Sequence, residues 1–221
     1  ETFPDGAAWL DENGIFKKTS PQPLTPMENL PFIYDEAGRM EGFKNRIIYY
    51  ETSRGCPFSC SYCLSSIDKK LRFRPLDTVK KELAFFLEQR VPQVKFVDRT
   101  FNCKKSHAMA IWQFIRDHDN GVTNFHFEIA ADILDEEEIA LLKTMRPGLV
   151  QLEIGVQTAN PDTIHAINRK MDLARVAQVT ETIRKFHNIH QHLDLIAGLP
   201  LEDYESFGHS FDVVYKMKPS Q

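Results

Sequence analysis

From residue 46 onward the apolar pattern keeps switching between a period of two and a period near 3.6, and few architectures can use such a chain. Strand-like runs fall at 46–51, 93–98, 124–130, 149–154 and 193–197. Amphipathic stretches lie between them. Residues 77–90 put Val79, Leu83, Phe86 and Leu87 on one stripe, and 105–118 do the same with Ala108, Ile111, Trp112 and Ile115. Asp135 and Glu138 are spaced as a capping box for a helix running to 142, while Asn160-Pro161 supplies a cap and a first-turn proline. Further helices are expected over 172–186 and 205–216, the latter carrying Phe207, Phe211 and Val214. Roughly five strand–helix units in series predict an α/β fold with a parallel sheet, open or curled into a barrel, and helices outside. Such folds hold ligands at the carboxyl ends of their strands.

Residues 1–45 have a different texture. Asn13-Gly14 between short apolar runs predicts a small hairpin, because glycine accepts the positive φ its turn needs. The proline-dense stretch 20–31 predicts an extended strap or linker leading into the core. The expected division is therefore an N-terminal hairpin and linker over 1–45 and a core domain over 46–221. With 42% of its 221 residues hydrophobic and 26% charged, the chain can build one real core. A net charge of −4 gives no large basic footprint, so nucleic acid is not indicated as a partner. No stretch approaches the roughly 18 apolar residues of a membrane span. Few cysteines and no secretory signal point to the cytoplasm.

The first strand-like run leads straight into Cys56-Pro-Phe-Ser-Cys60-Ser-Tyr-Cys63. Thiolates this close suit zinc or an iron–sulfur cluster, and the spacing leaves both open. Zinc knuckles usually recur as a second pair or with a nearby histidine, and the nearest later one is His107. A disulfide framework does not suit an odd triplet. A four-iron cluster takes about four ligands, so three thiolates would leave one iron open.

The C-x3-C-x2-C spacing, with Tyr62 just before the last cysteine, resembles the radical S-adenosylmethionine superfamily, and the stretch from Tyr50 to Cys63 resembles its cobalamin-binding-type branch. That resemblance implies a [4Fe-4S] cluster on Cys56, Cys60 and Cys63. S-adenosylmethionine would chelate the open iron and be split by one electron to a 5′-deoxyadenosyl radical, with the cofactor carrying the chemistry. It implies a partial (β/α)6 TIM-like barrel, with the chain stopping before its last unit. A reductant such as flavodoxin or ferredoxin is implied as a partner, and cobalamin would come through an upstream domain absent from this chain. RNA-modifying methylthiotransferases share the cysteine core, but they add N-terminal cysteines and a C-terminal RNA-binding domain that this sequence does not show. A non-catalytic zinc-binding module is the remaining alternative.

The resemblance also distributes roles along the strand ends. Tyr62 is expected near the adenine. Asp98, where relatives carry a Gly-Gly-Glu-like segment, is expected to meet the cofactor ammonium, although Asp98-Arg99 replaces the glycines. The core is also similar to oxygen-independent coproporphyrinogen oxidases. Their matching strand aims a glutamate at the cofactor, which makes Glu128 the candidate here and Asp132 a second one. Gly155-Val-Gln157 followed by Asn168-Arg169 resembles the oxidases' pattern, so Gln157 and Arg169 are expected to contact S-adenosylmethionine. Gly155 would allow close backbone approach. Asp194 in the Asp-Leu-Ile-Ala-Gly-Leu-Pro stretch is expected to bond the ribose hydroxyls, with Ile196 passing under the adenine. Cys103 reads as a buried thiol, and His187, His190 and His192 read as a polar helix-to-strand turn.

Overall fold

The structure, a computed structural model, describes residues 3–36, 39–43 and 46–221. Residues 1, 2, 37, 38, 44 and 45 of the expected linker lie outside the described residues. The chain opens with an antiparallel hairpin of β1 (Ala8–Leu10) and β2 (Phe16–Lys18), turned at Gly14 with φ of 72°. The proline-dense stretch then lies on the core as a strap. Met27 is buried there, and Phe32 and Tyr34 pack into the main aromatic cluster ahead of the single-turn α1 (Arg39–Gly42). A buried ion pair holds the strap down: Arg74 is bonded to Glu82 and donates to the Met27 and Leu30 carbonyls at 2.8 and 2.9 Å.

Five strands form the main sheet: β3 (Ile48–Tyr50), β6 (Gln93–Phe96), β7 (Asn124–Ile129), β8 (Val150–Gln157) and β9 (His190–Leu195), side by side in that order and all parallel. The helices between them are α2 (Leu76–Glu88), α3 (Lys105–Asp117), α4 (Glu136–Lys143), α5 (Pro161–Ala166) and α6 (Leu173–Arg184), with α7 (Tyr204–Lys216) after β9. The expected capping box is present, with Asp135 accepting from the Glu137 and Glu138 backbone and Glu138 reaching back to Asp135. This is the α/β architecture of a partial TIM-like barrel. Among the described residues the sheet has five strands. Past α7, Ser220 donates to the Gln191 carbonyl at 2.9 Å and Gln221 accepts from Leu193 at 3.0 Å, so these residues lie along the outer edge of β9.

The strand alternation divides the sheet into two unlike faces. Val94, Phe96, Phe125, Phe127, Leu152 and Ile154 face the helices and are buried with Leu83, Phe86, Ile111 and Trp112. The opposite, lumenal face carries Lys95, His126, Glu128, Glu153, Gln157, His192 and Asp194 in register across β6 to β9. Burial of the apolar face supplies the main stabilisation, at about 25 cal/mol per Å² of apolar surface removed from water. The polar face is left free to line a site.

The strand limits shift from the sequence reading: β3, β6 and β7 are shorter than expected, and β8 and β9 differ most. β8 runs on to Gln157, because buried Val156 continues the alternation past Gly155. β9 begins at His190, so His190 and His192 are strand residues and only His187, with φ of 57°, belongs to the turn. The strand start was hidden because Gln191 occupies a core position. It is buried, and its amide donates to the Thr180 carbonyl at 3.0 Å.

Candidate functional site

The cysteine loop is a tied excursion from the end of β3. Two short strands, β4 (Ser53–Arg54) and β5 (Arg72–Phe73), pair antiparallel across its neck. Gly55, with φ of 96°, turns the chain where a Cβ would stand 2.8 Å from the Lys70 carbonyl oxygen and 3.0 Å from that of Asp68, so only glycine fits. Cys56 N–H donates to the Asp68 carbonyl at 3.1 Å and Ser61 N–H to that of Ile167 at 2.9 Å, while the Asn168 amide reaches the Ser59 carbonyl at 3.0 Å. The loop is thus stitched both to its own return and to the segment after α5. Cys56 and Cys60 are buried, Cys63 is half-buried, and all three thiols are free.

Those three cysteines line one cavity of about 230 Å³ at the carboxyl ends of the strands. Tyr62, Glu128, Asp132, Gln157, Arg169 and Asp194 line the same cavity, so the expected residues from the loop, β7, β8 and β9 converge. Arg169 bridges its two sides. It is hydrogen-bonded to the Gly155 carbonyl, donates to the Tyr62 hydroxyl at 3.3 Å, and lies 3.8 Å from Cys60 Sγ. Burial, with Cys60 and Cys63 nearby, pushes the Tyr62 phenol up to about 12 against the opposing pull of Arg169, so it stays protonated. Glu128 is raised above the usual carboxylate range, first by burial and then by Glu153.

Gln157 ends β8 in the left-handed region, with φ of 73°, at an irregularity in the β8–β9 ladder. A non-glycine residue holds such a conformation only when its surroundings fix it. A Cβ at Gly155 would collide with the Gln157 amide nitrogen and approach Arg169 Nη2 at 3.6 Å. The missing side chain therefore makes the groove in which both polar groups lie. Gln157 Oε1 and Arg169 Nε are buried without a hydrogen-bond partner, which suits a site awaiting a polar ligand.

Asp98 and Ile196 are not among the cavity's lining residues. Asp98, expected at the cofactor ammonium, is instead a buried staple beneath the cysteine loop. Its carboxylate accepts from Thr52 N–H at 3.0 Å, the Thr52 hydroxyl at 2.7 Å and the Ser53 hydroxyl at 2.5 Å. The next residue, Arg99, in the turn that follows, reaches the cavity in its place. Ile196 is half-buried just past β9, its N–H donating to the Gln157 carbonyl at 2.9 Å.

Burial pushes Asp98 up to about 6, although the Ser53 and Thr52 bonds pull it down. A carboxyl raised on folding favours the folded state below its ordinary value near 3.8 and loses that contribution as pH rises through about 6. Asp98→Ala would leave two hydroxyls and one N–H without their acceptor and is expected to destabilise the cluster-free chain by about 3 kcal/mol at pH 7. The deficit should widen at pH 5, where the wild type binds the stabilising proton, and urea unfolding at both pH values measures it. An equal deficit at both would remove Asp98 from the account.

The sequence reading missed Arg99, Thr100 and Lys170 on the cavity wall. Thr100 Oγ1 lies 3.8 Å from Cys56 Sγ. It also missed Glu153, whose carboxylate accepts from Lys95 Nζ at 2.8 Å and lies 2.8 Å from His126 Nε2 across the lumen floor. The signal was available: polar or charged residues alternate with buried apolar ones along β6 and β8, and Glu153 sits in that pattern. Among the described residues no three His, Cys, Asp or Glu side chains converge as ligands of a single metal ion.

The profile of the Radical SAM superfamily matches residues 50–214. The chain belongs to the radical SAM superfamily. An uncharacterized methyltransferase of Pyrococcus horikoshii, PH0819, is 25% identical over 218 residues, covering 92% of this chain and 46% of that protein. Among solved structures, the radical S-adenosylmethionine methyltransferase TsrM from Kitasatospora setae, with cobalamin and a [4Fe-4S] cluster bound, superposes with a TM-score of 0.70 at 18% identity, over 81% of this chain and 36% of that one. Coproporphyrinogen III oxidase (HemN) from Escherichia coli, a radical SAM enzyme, gives 0.57 at 19% identity over 78% and 42%. Methylthiotransferases are also among the relatives. The chain spans under half the length of the curated relatives it matches. Radical SAM proteins bind a [4Fe-4S] cluster and S-adenosylmethionine, and no helix of the described residues is long and apolar enough to cross a membrane.

Proposed function

We propose that this chain is the catalytic core of a radical S-adenosylmethionine enzyme of the cobalamin-binding-type branch, and that its reaction class is methyl transfer. One observation carries the first part: three free thiols share a cavity with the unpartnered Gln157 and Arg169 atoms and with Asp194, brought from separate strand ends. Names of relatives support the second, since methyltransferases recur among them.

Cys56, Cys60 and Cys63 would hold the cluster as thiolates. Bound there, the cluster supplies the electron that splits the sulfonium of S-adenosylmethionine. Arg169, anchored on the Gly155 carbonyl, takes the cofactor carboxylate, because its planar fork matches two oxygens. Gln157 Oε1 is a free acceptor for an N–H donor beside it. Asp194 accepts from the ribose hydroxyls, and Glu128 and Asp132 place carboxyl groups on the wall where a cationic sulfonium and ammonium can meet them. Protonated Tyr62 closes the side toward the adenine.

The test is anaerobic reconstitution with iron and sulfide, then reduction with S-adenosylmethionine present. About four irons per chain and release of 5′-deoxyadenosine or a transferred methyl group are expected. Zinc retained in place of iron, or S-adenosylmethionine left intact and unbound, would overturn the reading.

A further inference from the structure

At the floor of the cavity, neighbouring strands present a band of ionic side chains, of which Glu153 and Asp194 reach its wall. Lys95 on β6 and His126 on β7 meet at Glu153 on β8. In the β8–β9 ladder Glu153 stands opposite His192, and Gly155 stands opposite Asp194. His192 and Asp194 are two residues apart on one strand, so both project into the lumen. His192 Nε2 lies 2.9 Å from Asp194 Oδ1. Neither is sealed away: 28% of the His192 side chain and 32% of the Asp194 side chain remain exposed, on the cavity side of the sheet.

We propose that His192 is a positioning residue for the cofactor ribose, acting through the Asp194 carboxylate. The inference rests on the reading of Asp194 as the ribose ligand. A carboxylate that accepts from two hydroxyls must be ionised and held in one rotamer, since a protonated carboxyl gives up part of its acceptor capacity. Asp194 is badly placed for this on its own. Burial and the neighbouring Glu153 both favour its protonated form, and His192 opposes them. At 2.9 Å the imidazole stands against one carboxylate oxygen, which leaves the rest of the group to the cavity. Lys95 and His126 complete the arrangement by engaging Glu153, which burial would otherwise raise and which they hold below the usual carboxylate range. Asp194 stays raised on balance, and His192 is the member of the band beside it that pulls it back toward the ionised form.

The test compares equilibrium binding of S-adenosylmethionine and of its 2′,3′-dideoxy analogue to the reconstituted chain. His192→Ala is expected to weaken S-adenosylmethionine by about tenfold while leaving the dideoxy analogue within about twofold of wild type. His192→Gln, whose amide N–H can reach the same oxygen, should recover binding to within about threefold. Equal losses for both ligands would show a merely structural role, and no loss for either would remove His192 from the site. Both results overturn the inference. Wild type that binds both ligands equally would instead take down the ribose reading of Asp194 itself, and this inference with it.

Discussion

Cys60→Ala is expected to reduce the iron bound after anaerobic reconstitution from about four per chain to below one, with acid-labile sulfide falling in parallel. Three corners of a cubane need three thiolates, and removing one leaves two. Nothing nearby substitutes: Cys103 is the remaining cysteine, it is not on the cavity wall, and burial together with Cys56 pushes its thiol up to about 11. A thiol held protonated is a poor ligand. The loop itself should survive the substitution, because it is tied by backbone bonds at Cys56, Ser61 and Cys63 and by the Asn168 side chain. Cys103→Ala is the control and should keep its full complement. Full iron and sulfide in Cys60→Ala would refute the three-thiolate site, and zinc bound by both variants would favour a closed metal module.

Much of the fold was legible because burial is written as periodicity. Val79, Leu83 and Phe86 mark α2, and Ile111, Trp112 and Ile115 mark α3, since each stripe has one apolar surface to cover. The convergence of the cysteine loop with Gln157, Arg169 and Asp194 followed from parallel strands, which deliver their carboxyl ends to one side. Periodicity conveys less about polar groups. Asp98 and Glu128 both look like charges at strand ends, yet one is saturated by Thr52 and Ser53 while the other faces the cavity. One residue of strand phase separates those fates, and the irregular chain after Phe96 hides the phase. The same holds for β9, where a buried glutamine broke the apolar pattern and made His192 read as turn. Ionic contacts across strands, such as Lys95 with Glu153, depend on register that only the assembled sheet supplies.

Arg169→Ala is expected to weaken S-adenosylmethionine by about a hundredfold, the scale of a paired charge-assisted contact, while leaving iron content unchanged. Arg169→Lys should recover only part of this, with a loss of about tenfold, because an ammonium keeps the charge but not the two-pronged donor geometry. Titration calorimetry on the reconstituted variants measures both, and a lysine variant that binds as tightly as wild type would reduce Arg169 to a point charge. The effect should exceed that of Gln157→Ala for a structural reason. Gln157 presents an unpartnered oxygen from a single strand end, whereas Arg169 is braced against the Gly155 carbonyl and the Tyr62 hydroxyl and also lies beside Cys60. A group fixed before the ligand arrives loses little freedom on binding and delivers more of its interaction as affinity. Removing it also unlinks the cysteine loop from β8, so the two walls of the cavity lose the side chain that spans them.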